Sequence, residues 1–219
     1  MAALNVAVLI SGRGSNAAAM IHASCQLDSP FRIVGIIADR PSAPGLSLPR
    51  ALDIPTHVAD YSTFATPALF EDNLEQTFRA WNTQLVVLAG FMRILSPTFT
   101  ERWRDRFVNI HPTLLPAFPG LHGVRQALAA GVRIAGCTVH FVRPDVDSGP
   151  IIAQGAVAVA QDDTEESLAA RILEVECRLY PRVVRLIAEG RVSIHNDRVL
   201  IAGTLAPQGA LLNPEEQSL

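Results

Sequence analysis

The sequence predicts an α/β fold in which a mostly parallel sheet is flanked by helices and ends in an antiparallel edge toward the C-terminus. Two observations favour this class. Short apolar runs rich in Val and Ile alternate with helical patterns over the first half of the chain, as expected for parallel strands joined by helical crossovers. Two later apolar runs flank a turn-rich stretch, which indicates an antiparallel strand pair at the sheet edge.

The first half of the chain is expected to form the Rossmann-like, parallel part of the sheet. The apolar runs that predict strands are Leu4–Ile10, Ile33–Ala38, Thr56–Val58 and Leu85–Ala89. The helical patterns between them cover Asn16–Ser24 and Ala68–Trp81. Proline and glycine punctuate Pro41–Gly45, so this segment is expected to be a loop.

The second half is expected to be less regular. Pro112–Gly123 contains three prolines and two glycines, which predicts a shaped loop. The other expected elements are a short helix after Pro97, strands at Phe107–His111, Thr138–Val142 and Ile151–Val159, a helix over Thr164–Glu189, and a hairpin of Val192–His195 with Val199–Ile201. We expect one domain over residues 1–203 and a loosely ordered tail over 204–219.

Composition excludes several functional classes. The chain has 219 residues with a net charge of -3 and a pI of about 6.1, so no basic footprint for nucleic acid is expected. All 18 basic residues are arginine, which excludes Schiff-base lysine chemistry. Three scattered cysteines form neither a disulfide framework nor a CxxC pair. Without an apolar run of roughly 18 residues or a basic leader, a cytoplasmic protein without membrane contact is expected.

The run Ser11–Asn16 lies between the first predicted strand and helix. Glycines at 12 and 14 allow close approach of an anion, and a helix N-terminus offers unpaired N–H groups. With Ala17 and the later Asp39, the run also satisfies a dinucleotide-binding fingerprint. An anion site, a dinucleotide site and a tight turn all remain open, although the polar side chains suit a phosphate monoester better than a pyrophosphate.

Asn109 and His111 end a predicted strand and are two residues apart. They should therefore project from the same face, at the strand end where open α/β sheets bind ligands. A carboxamide beside an imidazole can stabilise an oxyanion and transfer a proton. The alternative is a polar pair that hydrogen-bonds only to loop backbone.

Three further features are candidates for a site. Asp147 lies in the acidic turn Asp145–Pro150, which is either a plain turn or a partner for the Asn/His pair. Glu176 interrupts the apolar stripe of the long helix, and a buried carboxylate requires a partner, either a bound cation or an arginine at the rim. The apolar run Leu88–Leu95 either lines a cleft or is ordinary core. No spacing of His, Asp or Cys is typical of a metal site, so no metal is expected.

Taken together, these segments closely resemble the folate-dependent phosphoribosylglycinamide formyltransferases, enzymes of the third step of purine synthesis. The matching stretches run in order along nearly the whole chain: Val8–Asn16, Val86–Ser96, Asn109–Gly123, Gly136–Val142 and Asp145–Ile152.

The resemblance implies a role for each motif. The catalytic residues would be Asn109, His111 and Asp147. The ribonucleotide substrate would be held by Gly12, Arg13, Gly14, Ser15 and Asn16, with Arg106 assisting at the phosphate and Glu176 meeting the amine. The cosubstrate 10-formyltetrahydrofolate would be held by Met92, Arg93, Ile94, Leu95, Asn109, Val142, Asp145, Val146 and Asp147.

The sequence departs from the family's pattern at two positions. Relatives often carry a basic residue near Ala117, which contacts phosphate, and another near Pro67, which contacts the folate tail. Arg13 is the expected local compensation. The expected partners are small molecules only, and the chain is expected to be a monomer or homodimer.

Rival interpretations are formyltetrahydrofolate hydrolase, methionyl-tRNA formyltransferase and, from a different class, an NAD-binding oxidoreductase or nucleotide sensor. The first two usually carry an additional domain, for which this chain is not expected to have room. The third leaves Asn109, His111 and Asp147 unexplained.

Overall fold

A seven-stranded sheet forms the centre of the computed structural model, which describes residues 2–203 and 211–213. Its strands are β1 (Leu4–Ile10), β2 (Phe31–Ala38), β3 (Thr56–Val58), β4 (Leu85–Leu88), β5 (Phe107–His111), β6 (Ile134–Phe141) and β7 (Ile151–Ala158). The order is β3-β2-β1-β4-β5-β6-β7. Strands β1 to β5 pair in parallel, whereas β6 and β7 pair antiparallel. The predicted fold class is confirmed.

Six α-helices of the described residues connect and flank these strands. They are α1 (Ser15–Ser24), α2 (Ser47–Ala51), α3 (Pro67–Ala80), α4 (Pro97–Arg102), α5 (Gly123–Ala129) and α6 (Glu165–Ala188). Short 3-10 turns cover Pro44–Leu46 and Tyr61–Thr63. Helices α2 and α5 were not predicted from the sequence, and β6 begins at Ile134, four residues before the predicted start at Thr138. Among the described residues, no helix has the length and apolar character required to cross a membrane.

The alternation of side chains along β1 divides the core into two layers. Val6, Val8 and Ile10 face one cluster of buried residues, while Ala7 and Leu9 face the other, as the two-residue period of a strand requires. Helices α1 and α6 cover the first face. The aromatic side chains of α3, α4 and β5 fill the second. The sheet is therefore buried on both faces.

The long helix α6 is fixed against the strand ends by one buried hydroxyl. Tyr180 is fully buried, and its Oη lies 2.7 Å from the carbonyl oxygen of Val108 and 3.2 Å from that of Leu88. Thr164 caps the start of the helix, and Gly190 follows its end with a φ of 68°. This anchoring sets the position of Glu176, one turn before Tyr180.

The chain after α6 forms the expected hairpin, β8 (Val192–His195) and β9 (Arg198–Ile201). Both turn residues, Asn196 and Asp197, have positive φ, the geometry of a two-residue turn that suits strand twist. The predicted loose tail over 204–219 lies outside the described residues, except for 211–213.

Candidate functional site

The carboxyl ends of three parallel strands bring the predicted motifs to one edge of the sheet. Leu9 of β1 is in register with Leu88 of β4, which is in register with Asn109 of β5. The loops that follow these strands therefore start at the same level. Ligands of open α/β sheets bind at such an edge.

The loop after β1 has the tight geometry expected of an anion-binding turn. Gly14 has a φ of 76° and precedes α1. A Cβ on Gly14 would lie 2.8 Å from Cα of Gly45, and the Gly45 N–H donates to the carbonyl of Gly12 over 3.0 Å. A Cβ on Gly12, in contrast, would meet nothing within 4 Å. The loop thus packs on one side against Gly45 and is open at Gly12.

The structure brings Asn109, His111 and Asp147 together. His111 Nδ1 lies 3.3 Å from Oδ2 of Asp147, and its Nε2 lies 3.0 Å from the carbonyl oxygen of Phe118. The same Asp147 oxygen accepts the Gly120 N–H over 2.8 Å. The His111 ring is nearly buried, so acceptors on both sides fix its orientation. Loop backbone and a carboxylate each contact the ring, so the pair does not bond to loop backbone alone.

His140 completes this cluster and was not among the predicted site residues. Its Nδ1 donates to the carbonyl of Phe141 over 2.9 Å, so in the neutral ring Nε2 is an acceptor. The Asn109 amide nitrogen lies 3.3 Å from that Nε2, which orients the amide and leaves its second N–H able to donate to a ligand. His140 is opposite Asn109 in the β5–β6 ladder, a register that the sequence does not reveal.

Asp147 is held in its charged form. Burial raises the pKa of this carboxyl, but hydrogen bonds from the Gly120 N–H and from the His140 ring when it is protonated, together with the attraction of a protonated His111 ring, lower it more, so its pKa falls below the ordinary value. Its backbone has a φ of 52°, within the left-handed region that Asp tolerates better than most residues. The acidic turn is therefore part of the cluster and more than a plain turn.

Asn16 is the last residue of the loop Gly12–Asn16, the anion loop, and its side chain contacts Glu176 of α6. The Asn16 amide donates to Oε2 of Glu176 over 2.8 Å, and both side chains are buried. Burial raises the pKa of Glu176, and the bond from Asn16 offsets part of that rise. The carboxylate thus has an amide partner and not the arginine that one interpretation expected. Its remaining acceptor capacity can receive a ligand's N–H group.

The segment between β4 and α4 exposes apolar side chains at the same edge of the sheet. Met92 is 62% exposed and Ile94 is 78% exposed, and Val146 of the acidic turn is 53% exposed. Leu95 differs, since its side chain is buried in the second core cluster and only its backbone can meet a ligand. Val142 packs against the same cluster, while Asp145 is exposed.

The dinucleotide interpretation of Asp39 is wrong. Both of its carboxylate oxygens are occupied, one by Nε of Arg93 at 2.6 Å and the other by Nε of Arg40 at 3.2 Å, and the side chain is wholly buried. It is not available to hydrogen-bond a ribose. Arg93, for its part, lies 4.4 Å from the centre of the Tyr61 ring.

The structure contradicts the expectation for Arg106. This residue precedes β5 at the amino ends of the strands, where its carbonyl accepts the Val86 N–H. Its guanidinium lies 4.1 Å from the Trp103 ring and donates to the carbonyl of Arg102. Five residues of strand, or about 16 Å, separate its level from that of Ser11. Arg106 is next to β5 in sequence, but it lies at the amino end of that strand, whereas the candidate site lies at the carboxyl end.

The two departures from the family's pattern lie on the surface. Ala117 and Pro67 are both exposed, and neither offers a charge to a ligand. Arg13 is exposed and makes no ion pair within the described part of the chain. Within the same residues, no group of three or more His, Cys, Asp or Glu side chains is arranged to hold a metal ion.

Comparisons with known proteins identify the family of this chain. The profile of the formyl transferase family matches residues 4–184. Phosphoribosylglycinamide formyltransferase of Escherichia coli is 39% identical over 94% of this chain and 98% of its own length. The crystal structure of glycinamide ribonucleotide transformylase 1 from Symbiobacterium toebii has 43% identity and a TM-score of 0.88, covering 91% of this chain and 94% of that one.

Two other matches differ in length. The trifunctional purine biosynthetic protein adenosine-3 of Bos taurus is 42% identical over 89% of this chain, but the chain spans only 19% of it. A formyltetrahydrofolate deformylase from Pseudomonas syringae pv. tomato has 26% identity and a TM-score of 0.83, with 66% of that chain covered. The chain therefore belongs to the formyl transferase family and, within it, to the phosphoribosylglycinamide formyltransferases.

Proposed function

We propose that the protein transfers the formyl group of 10-formyltetrahydrofolate to the amine of 5′-phosphoribosylglycinamide, as a cytoplasmic enzyme whose residues 1–203 form one domain. The observation that carries the proposal is that the candidate catalytic cluster and the anion loop lie at the same edge of the sheet. The Asn109, His111 and Asp147 cluster lies where β5 ends, and the anion loop lies where β1 ends, in register with it.

The ribonucleotide is assigned to the loop at Gly12–Asn16. Its phosphate would accept the N–H groups at the start of α1 and the Ser15 hydroxyl, aided by the helix dipole, and the exposed Arg13 would add a positive charge from within the loop. The substrate's amine end would reach Glu176, whose acceptor oxygens are already oriented by Asn16. Arg106 has no part in this site.

The folate is assigned to the surface made by Met92–Leu95 and the acidic turn. The exposed side chains of Met92, Ile94 and Val146 would cover an aromatic ring system, while backbone groups of the two loops and the Asp145–Asp147 turn supply polar contacts. Buried apolar area of this kind contributes about 25 cal/mol per Å². Ligand sites are usually built in this way, with apolar walls and a few placed polar groups.

The chemistry follows from the cluster. The neutral amine nitrogen attacks the formyl carbon, and the carbonyl electron pair moves to oxygen, which becomes an oxyanion. The free N–H of Asn109 and a ring N–H of His111 donate to that oxygen. For His111 this requires Nε2 to exchange the Phe118 carbonyl for the oxyanion. Donors placed where charge develops are usually the largest contribution to such a reaction.

Collapse of the intermediate requires one proton to move. The attacking nitrogen must lose a proton and the departing folate nitrogen must gain one as the carbon–nitrogen bond breaks. Asp147, kept ionised by its neighbours, is suited to accept a proton through an ordered water or to hold His111 while the ring relays it. The products are the N-formyl ribonucleotide and tetrahydrofolate.

The rival within the family is hydrolysis of the same folate, in which water replaces the amine. The paired Asn16 and Glu176 favour transfer, because the carboxylate offers an acceptor to an N–H group of the ribonucleotide, which hydrolysis would not use. Purified protein is incubated with 10-formyltetrahydrofolate in the presence and absence of the ribonucleotide, and the absorbance of the folate product is followed. Turnover that requires the ribonucleotide supports transfer. Equal turnover in its absence supports hydrolysis, and none in either case refutes both.

A further inference from the structure

The segment from Gly90 to Ser96 has an unusual combination of features. It links β4 to α4 without regular structure, and it exposes Met92 and Ile94 instead of burying them. Phe91 and Leu95 of this segment pack into the second core cluster, but the exposed side chains of Met92 and Ile94 do not hold the backbone between them in place. The conformation of that exposed stretch therefore depends on contacts from neighbouring elements.

Three buried side chains from three different elements supply that fixation. Ser11, after β1, accepts the Met92 N–H on its Oγ over 2.9 Å. Asp39, after β2, accepts Nε of Arg93 over 2.6 Å. Glu71, on α3, accepts both the N–H and the hydroxyl of Ser96, over 2.5 Å and 2.6 Å. The three acceptors are exposed by only 5%, 1% and 7%, respectively.

Asp39 makes the most specific of these contacts. Its own carbonyl accepts the Tyr61 N–H, and the Tyr61 ring then lies against the guanidinium of Arg93. The arginine is therefore held by a carboxylate at one side and an aromatic face at the other. Both interactions stabilise the position of the Arg93 guanidinium. Fixing this side chain also restricts the backbone at Arg93.

Burial of the Asp39 and Glu71 carboxylates, which hold this surface loop, carries a desolvation cost. Desolvation of a charged carboxylate often cancels the attraction of its partners, and apolar residues of similar volume would stabilise a fold as well or better. Hydrogen-bonded pairs, however, define direction and register, which apolar contacts do not. The arrangement therefore favours precision of the loop over stability of the fold.

We propose that Ser11, Asp39 and Glu71 are positioning residues that hold Met92–Leu95 in its binding conformation before the formyl donor arrives. The proposal rests on the proposed function for the identity of that donor. It adds residues that do not touch the ligand but fix the loop that does. The free protein then loses little loop entropy on binding, which increases affinity.

The first test does not depend on activity. Trypsin cleaves after arginine only where the backbone can open, so wild-type protein should resist cleavage between Arg93 and Ile94. Asp39→Asn and Glu71→Gln should each increase the rate of that cleavage roughly tenfold, measured by mass spectrometry of the fragments. The matched control is Asp72→Asn, which removes an exposed charge next to Glu71 and should leave the rate unchanged. Variants that are folded by circular dichroism yet cleave like wild type overturn the proposal.

The second test separates positioning from general stability. Asp39→Asn and Glu71→Gln should raise KM for 10-formyltetrahydrofolate roughly tenfold, while KM for the ribonucleotide changes less than about twofold and Asp72→Asn has no effect. Equal increases in both KM values, or a lower Tm with unchanged KM values, would assign these carboxylates to the fold alone. Should wild-type protein show no turnover, the proposed function fails, and the cleavage rates still decide whether the loop is held as described.

Discussion

Substitution of Gly14 by alanine should destabilise the protein, and the structure allows the cost to be estimated. Gly14 has a φ of 76°, and a Cβ there would lie 2.8 Å from the backbone of Gly45. A left-handed conformation costs an L-residue about 1–2 kcal/mol. Steric overlap with the Gly45 backbone, which has no alternative rotamer to relieve it, adds about 1–3 kcal/mol. The free energy of unfolding should fall by about 2–5 kcal/mol.

Thermal unfolding followed by circular dichroism measures this cost. For a chain of this size 1 kcal/mol shifts Tm by roughly 2–4 °C, so Gly14→Ala should lower Tm by roughly 4–20 °C. Two controls separate the causes. Gly131 has a φ of 68° and no atom within 4 Å of its Cβ position, so Gly131→Ala should show only the conformational part. Gly12 has neither feature, and Gly12→Ala should leave Tm nearly unchanged.

If Gly14→Ala unfolds at the same temperature as Gly131→Ala or higher, contact with Gly45 carries no cost and the estimate is wrong. Gly12 is a better position than Gly14 for a variant that tests ribonucleotide binding by the anion loop. A branched residue at 14 would weaken that binding partly by deforming the loop. Gly12→Val adds its side chain to open space and should raise KM for the ribonucleotide, with little change in Tm or in KM for the folate.

Four further outcomes are expected. His111→Ala should lower kcat by roughly 10²–10⁴ with near-normal Tm, whereas retention of half the wild-type rate would make the ring structural. Combining it with Asn109→Ala should cost less than the product of the two single losses, since both act on one oxyanion; multiplicative losses in kcat would contradict this. Burial raises the pKa of Glu176, so its contribution to stability is present below the unfolded pKa and is lost as pH rises through the folded pKa. Glu176→Gln should therefore raise Tm relative to wild type more at pH 8 than at pH 4, while raising KM for the ribonucleotide; an unchanged KM would limit the carboxylate to the fold. Arg106→Ala should leave that KM unchanged, and an increase in it would restore the phosphate role.

Features set by local sequence were predictable. The bounds of β1, β3 and β5 match the expected strands residue for residue, because their apolar runs end at clear turn signals. The two-residue period of a strand predicted that Asn109 and His111 project from the same face of β5. The loop after β1 could be placed because glycines and a helix start lie within a few residues of each other.

Features set by distant contacts were not predictable. Asp39 fits a fingerprint for ribose binding, yet an arginine 54 residues later occupies its carboxylate. Glu176 meets Asn16 across 160 residues, so the sequence alone did not identify its partner. Helix α5 has only seven residues and starts after His122 in a left-handed conformation. It is too short for an apolar period to be recognised.

Formyl transfer can be followed with one labelled atom. 10-Formyltetrahydrofolate carrying ¹³C in its formyl group is incubated with the ribonucleotide and purified protein, and the products are analysed by mass spectrometry and ¹³C NMR. The label is expected to appear as a formamide on the ribonucleotide's amine, in equal amount to the tetrahydrofolate formed, and His111→Ala should suppress both together. Label released as free formate, with the ribonucleotide unmodified, would contradict transfer to the amine.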